Sequence, residues 1–287
     1  MAHLRRVKMT TVTRDDIRRA FVEAGCTDGD VVMFHSSLKS MGHVEGGASA
    51  VYEAVLDAVG TNGTVAVPSL WYNGNLQECP RELFDVRTSP TFVGTIPETF
   101  RQDPRAYRSD NFSHAVCAIG VRAKELTDNH GAGKSNPSPW NEQAFAEISP
   151  WSRFYEWNAL YCLLGVDMNT CTMKHYIESR YVESLLRTLP PERYGEFRAK
   201  IACDCNGKPW IYYPGVKMRE RLEASGLICS VKLGDTKLLS IRTAPMVHAV
   251  LEIISAAPQD WCSPQFYSWI CEVRSSAVTI LPKHTER

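Results

Sequence analysis

The sequence has no surplus of charge of either sign: 32 lysines and arginines balance 32 aspartates and glutamates over 287 residues. A neutral surface gathers neither phosphates nor anionic headgroups, which sets aside non-specific nucleic-acid and membrane-surface binding. No run approaches the ~18 apolar residues needed to cross a bilayer. The basic start Met1-Ala2-His3-Leu4-Arg5-Arg6-Val7-Lys8 is followed by polar residues where a secretory signal would be apolar, so a cytoplasmic location is expected. No CxxC occurs among the ten cysteines, and Cys203 and Cys205 are poorly spaced for tetrahedral zinc. Reduced, mostly buried thiols and no metal are expected. No HExxH, GxSxG elbow, Walker A loop or dinucleotide glycine fingerprint is found, so a covalent serine route has no support. Ordinary glycine and proline, at 18 and 16 residues, exclude collagen and low complexity.

What is present reads as an α/β chain. Thr13-Arg14-Asp15-Asp16 followed by Ile17, Ala20, Phe21 and Ala24 predicts a capped amphipathic helix ending at Gly25. Asp30-Val31-Val32-Met33-Phe34-His35 is a short apolar run, hence a buried strand. Val51, Ala54, Val55 and Ala58 recur at helical spacing within 48–59, and 64–67 is a second buried strand stopped by Pro68. Strand, loop, helix and strand in that order imply a parallel or mixed sheet. Residues 71–97 are polar and irregular, too long for a passive connector. Further strands are expected at 115–119 and 160–165, and helices at 96–101, 121–126, 149–157, 169–183, 216–224 and 244–256. A β-hairpin over about 195–215 is expected around Asn206-Gly207, joining Phe197 and its neighbours to Trp210 and Tyr213. With no repeat and no flexible linker, one domain over 1–287 is expected. Its core is a mixed sheet flanked by helices, with a β-rich insertion in the C-terminal half. His248, in an apolar helix, is expected to pack in the core.

Four stretches carry groups with chemistry. His35-Ser36-Ser37-Leu38-Lys39-Ser40-Met41-Gly42-His43-Val44-Glu45-Gly46-Gly47 joins a strand to a helix. Its hydroxyls and glycines suit a cradle of backbone N–H groups for a phosphate-bearing cofactor, or an ordinary βα loop. In Asn169-Thr170-Cys171-Thr172-Met173-Lys174-His175-Tyr176-Ile177-Glu178, His175 and Glu178 fall at i and i+3 of one helix and can touch. A carboxylate there fixes the imidazole tautomer and suits general-base work on an amine or hydroxyl; the alternative is a surface ion pair. Gly94-Thr95-Ile96-Pro97-Glu98 reads first as helix capping. Arg108-Ser109-Asp110-Asn111-Phe112-Ser113-His114 offers an arginine either to clamp a phosphate or to pair with a surface acid.

Taken in order, these stretches resemble the aminoglycoside 3-N-acetyltransferase (antibiotic N-acetyltransferase) family from about Asp30 to Ile254. The likeness rests on His35-Ser36-Ser37-Leu38 with Met41-Gly42 and Gly46-Gly47, on Gly60, Gly63-Thr64 and Pro68, and on Phe84-Asp85 with Thr88. Gly94, Pro97-Glu98, Phe100-Arg101, Arg108-Ser109, Ala118, Gly120 and Ser138-Pro139 continue it, then Leu163-Leu164-Gly165 and Thr172-x-x-His175-x-x-Glu178. The resemblance implies an α/β fold distinct from the GNAT acetyltransferases, whose Q/R-x-x-G-x-G/A loop does not occur here. It implies acetyl-CoA, or a related acyl-CoA, as co-substrate. Cofactor contacts are then expected from His35, Ser36, Ser37, Leu38, Lys39, Met41, Gly42 and Val44, with Arg108 and Ser109 nearby. Asp85, Glu98 and Thr172 are expected at the acceptor. His175, supported by Glu178, is the base implied for the acceptor amine. The acceptor implied is an aminoglycoside antibiotic, and a monomer or homodimer is expected.

Direct transfer also needs donors for the oxyanion that develops on the thioester carbonyl, and the Ser36-Ser37 turn is expected to supply them. Three departures from the family pattern stand out. Asn111-Phe112 replaces a common His-Pro, Lys174 replaces an apolar residue before the base, and the acidic surplus suited to polycationic sugars is missing. An N-acyltransferase for a small or aromatic amine is therefore kept as an alternative, which seven tryptophans and eleven tyrosines would suit. A thioester hydrolase and a non-catalytic CoA- or amine-binding member are kept beside it.

Overall fold

The computed structural model describes residues 10–71, 81–202 and 207–277. The chain runs β1 (Thr11–Val12), α1 (Arg14–Glu23), β2 (Val31–Ser36), β3 (His43–Val44), α2 (Gly47–Val59), β4 (Thr64–Pro68), α3 (Thr95–Arg101), β5 (Tyr107–Arg108) and β6 (Val116–Gly120). It continues through α4 (Ala123–Thr127), α5 (Pro150–Glu156), β7 (Leu160–Leu164), α6 (Met173–Leu186), α7 (Pro191–Arg198) and α8 (Gly215–Ala224). It closes with β8 (Cys229–Leu233), β9 (Thr236–Arg242), α9 (Thr243–Ala256) and α10 (Pro264–Ser276).

Seven strands form one mixed sheet in the order β5-β6-β4-β2-β7-β9-β8. The centre, β4-β2-β7, is parallel, and the flanking pairs are antiparallel. The three parallel strands read as continuous apolar runs because both of their faces are covered. Val32, Phe34, Val65 and Val67 pack with Phe21, Val55 and Phe100 from α1, α2 and α3. Met33, Ala66, Tyr161 and Leu163 pack on the other face with Trp151, Tyr176, Val247 and Phe266. Thr13 opens α1 with a reciprocal capping box to Asp16.

The expected mixed α/β sheet is therefore what forms, with two corrections. No strand forms over 195–215 among the described residues. Pro191 starts α7 and Phe197 is buried from that helix, while Trp210, Ile211 and Tyr213 are buried in a segment outside any strand; Asn206 lies outside the described residues. The hairpin of the C-terminal half is instead β8–β9, turning at Gly234. His248 is not a core residue: it is exposed on α9, where its Nε2 lies 2.9 Å from Tyr155 Oη. Among the described residues no helix is long and apolar enough to cross a membrane.

Candidate active site

The parallel strands end together, and at their carboxyl ends lies a cavity of about 610 Å³. β2 has β4 on one side, reached through α2, and β7 on the other. That reversal of direction is where open α/β sheets leave a ligand crevice. His35 and Ser36 enter the wall from β2 and Pro68 from β4, with Val166, Thr170 and Thr172 from the segment after β7. Leu70, Phe92, Val93, Gly94, Ser113, His114, Trp140 and His175 complete the lining.

The helix expected over 169–183 is divided. Met168–Thr170 makes a single tight turn, and α6 starts only at Met173. The break sets Thr172 and His175 at the cavity while the rest of α6 runs into the core. His175 Nδ1 lies 2.8 Å from Glu178 Oε2, with Glu178 fully buried and the histidine side chain 22% exposed. The indole Nε1 of Trp210 donates to the same carboxylate oxygen at 3.2 Å. Glu178 Oε1 has no hydrogen-bond partner; Lys174 Nζ stands 3.9 Å from it. With Nδ1–H given to the carboxylate, Nε2 of His175 keeps its lone pair for a proton from outside. Trp140 lies edge-on to the His175 ring at 4.1 Å between centroids.

A second link ties α6 to the sheet. The Tyr161 hydroxyl on β7 accepts the Met173 N–H at 3.2 Å and meets His35 Nε2 at 2.6 Å. Burial pushes the His35 imidazole down to about 3, so it stays neutral in this contact.

Residues 33–255 match the family model for aminoglycoside 3-N-acetyltransferases. The chain belongs to that family. Aminoglycoside N(3)-acetyltransferase IX of Micromonospora chalcea is 30% identical over 183 residues, which are 58% of this chain and 62% of that protein. Aminoglycoside N(3)-acetyltransferase III of Salmonella sp is 34% identical over 181 residues, 58% of this chain and 60% of that one. The chain thus spans about three fifths of the curated relatives it matches. The crystal structure of aminoglycoside acetyltransferase AAC(3)-Xa has a TM-score of 0.66 at 26% identity, covering 85% of this chain and 93% of that one. The binary structure of AAC-IIIb with CoASH shows the same fold, with a TM-score of 0.68 at 19% identity over 89% and 99% of the two chains.

This member of the acetyltransferase family brings together His35, Ser36, Thr172 and His175, with Glu178 behind them. The rest of the loop lies elsewhere. Of the Ser36-Ser37 turn expected to supply oxyanion donors, Ser37 gives its N–H to Leu164 O and is not free for that role. Met41 and Val44 are buried in the core, Leu38 is half-buried and Lys39 is exposed. Gly42 has φ +92° and a Cβ there would meet Thr10 O at 2.6 Å, so the N-terminal strand is packed directly onto it.

Arg108, Ser109, Asp85 and Glu98 are not among the residues lining the cavity. Arg108 gives its guanidinium to Ser69 O and Ser89 O and lies over Phe84, its charge disfavoured by burial to about 10. Ser109 is buried, accepting Val116 N–H and meeting His130 Nδ1. Asp85 Oδ1 accepts from Arg87 N, Thr88 N and Thr88 Oγ1. Glu98 is gripped by Arg101 on both oxygens, which holds it at about 2. Reading the sequence missed Trp140, Trp210, Tyr161 and His114. The Asn111-to-His114 run did contain the signal for the last, a polar turn leading into a buried strand.

Proposed function

We propose that this protein moves an acetyl group from acetyl-CoA to an amine, with His175 as the base, Glu178 as its partner, and an aminoglycoside as the acceptor. The observation that carries this reading is the imidazole at the ends of the parallel strands, tied at Nδ1 to a wholly buried carboxylate. An alkylammonium has no lone pair, so attack on a thioester requires prior loss of a proton, and a well-placed base contributes ~10²–10⁴-fold. His175 Nε2 takes one proton from the ammonium and frees the lone pair that bonds to the acyl carbon. The carbon–sulfur bond then breaks, the imidazolium returns its proton to the departing sulfur, and the second N–H proton leaves to solvent as the amide forms. Glu178 carries the charge of the imidazolium in between.

The residues present suit the thioester end of CoA. Ser36 lines the cavity with a buried hydroxyl that has no partner, and Leu70, Val93 and Val166 supply apolar walls. Ser36, Thr172 and those walls would hold the acyl arm; CoA supplies an activated acyl carbon. AAC-IIIb, which shares the fold, is seen with CoASH.

A second acceptor class is favoured by one feature. Asp85 and Glu98 are spent on their own neighbours, while Phe92, 52% exposed, and Trp140 stand at the cavity. Those walls suit an amine with an apolar or aromatic body. Thiol release from acetyl-CoA, measured against a panel of aminoglycosides and aromatic amines, tests both. Amine-dependent release supports transfer, release without amine indicates hydrolysis, and binding without release indicates a non-catalytic member.

A further inference from the structure

We propose that His114 is a second catalytic residue, whose neutral imidazole donates Nε2–H to the thioester carbonyl oxygen while His175 serves the amine. The proposal rests on the acyl-transfer reading above and adds an oxyanion donor in place of the Ser37 N–H, which is given to Leu164 O. His114 and His175 line one cavity, their ring centroids 6.2 Å apart and their planes at 80°. Trp140 lies against both rings, 5.1 Å from His114 and 4.1 Å from His175. Both imidazoles border the same cavity, so a group held there stands within reach of a proton acceptor and of His114 together.

The proposed tautomer draws on the turn before it. Asn111 Oδ1 accepts the backbone N–H of Ser113 at 3.1 Å and of His114 at 2.9 Å, and also lies 3.0 Å from the Ser113 hydroxyl and 3.3 Å from Asn141 Nδ2. The Ser113 hydroxyl receives Asn141 Nδ2 at 2.6 Å and has two acceptors within reach of its own proton, Asn111 Oδ1 at 3.0 Å and His114 Nδ1 at 2.9 Å. The proposal takes the second, because Asn111 Oδ1 already holds two backbone N–H groups. In that arrangement Nδ1 is the acceptor and Nε2 carries the hydrogen. Nε2 has no hydrogen-bond partner among the described residues. Asn111, where the family commonly has histidine, is thus the anchor of the arrangement. The ring is held rigidly: Trp151 Nε1 donates to His114 O at 3.1 Å, and Phe145 packs at 4.8 Å. Burial, then the neighbouring His175 and His130, keep the imidazole neutral far below its ordinary range. A neutral imidazole donates a hydrogen bond without placing a second cation beside the base.

The charge that grows on the carbonyl oxygen as nitrogen bonds to carbon is met by this fixed donor, and removing one such donor costs ~10²–10³ in rate. The test compares wild type with H114N, which keeps a group near Ser113 but has none at the Nε2 position, and with H114Q, which restores an N–H there. H114M is a second donorless variant of similar bulk, should H114N unfold. Infrared spectra of acetyl-CoA labelled with ¹³C at the carbonyl are recorded free and bound, beside Kd and kcat. The carbonyl stretch is expected to fall on binding to wild type and H114Q, and to return toward the free value in H114N and H114M. Their kcat is expected to drop ~10²-fold with Kd within a few-fold. A wild-type frequency and kcat in the donorless variants overturns the role of His114 alone. Failure of wild type to bind acetyl-CoA or to transfer its acetyl group overturns the underlying reading as well.

Discussion

Trp210 donates its indole N–H to Glu178 at 3.2 Å, onto the same oxygen that holds His175 Nδ1. A residue 32 positions downstream therefore closes the site from behind. Trp210→Phe keeps the ring packing but strips one of two donors from a buried carboxylate oxygen. A stability loss of ~1–3 kcal/mol is expected in urea unfolding, with a several-fold fall in kcat. Unchanged stability and rate would show that the indole N–H does nothing for Glu178.

Glu178→Gln retains an acceptor for Trp210 and removes the charge that balances an imidazolium. Its kcat is expected to fall by about tenfold, less than deletion of the base, since orientation survives and electrostatic support does not. The check is kcat at saturating acetyl-CoA and amine. A full wild-type rate would make the pair structural only.

Tyr161→Phe leaves both the Met173 N–H and His35 Nε2 without their partner in the core. Each orphaned group costs ~1–3 kcal/mol, so a lowered urea midpoint is expected. The start of α6 loosens too, so kcat is expected to fall while the lone pair of His175 persists. A wild-type midpoint contradicts this link between sheet and helix.

Much of the centre was legible from sequence because its signals are local. The runs at Val31–Ser36 and Thr64–Pro68 are apolar on both faces, and α2 between them has helical spacing. The missed hairpin β8–β9 lies at the sheet edge, where Cys229–Leu233 buries only Val231 and Leu233, so its alternation is diluted by exposed polar residues. Residues around 197–213 misled because Phe197, Trp210 and Tyr213 are strand formers by type but pack as helix and irregular segment. At the site, the spacing of His175 and Glu178 is a property of one helix and could be read. Trp210, Trp140 and His114 converge on that pair through tertiary packing, which no short window contains.

Three buried or inwardly bonded histidines make the fold sensitive to acid. Burial holds His35 at about 3 and His130 at about 4, and His114 also lies well below its ordinary range. In the unfolded chain each binds a proton near pH ~6.5. Between that value and the native one the unfolded state holds more protons, so stability is complete above pH ~6.5 and falls as pH drops. The slope approaches ~1.4 kcal/mol per pH unit for each histidine. Urea midpoints at pH 7.5, 6 and 5 should decline steadily; a flat series across that range contradicts neutral burial of these rings.

Free-thiol release from acetyl-CoA in the presence of an accepted amine, compared between wild type and His175→Ala, probes the account at its centre. The alanine variant should lose at least ~10²-fold in rate while its acetyl-CoA affinity, read by titration calorimetry, stays within a few-fold. Equal rates in the two proteins would remove His175 from the chemistry and leave the proposed acyl transfer without its base.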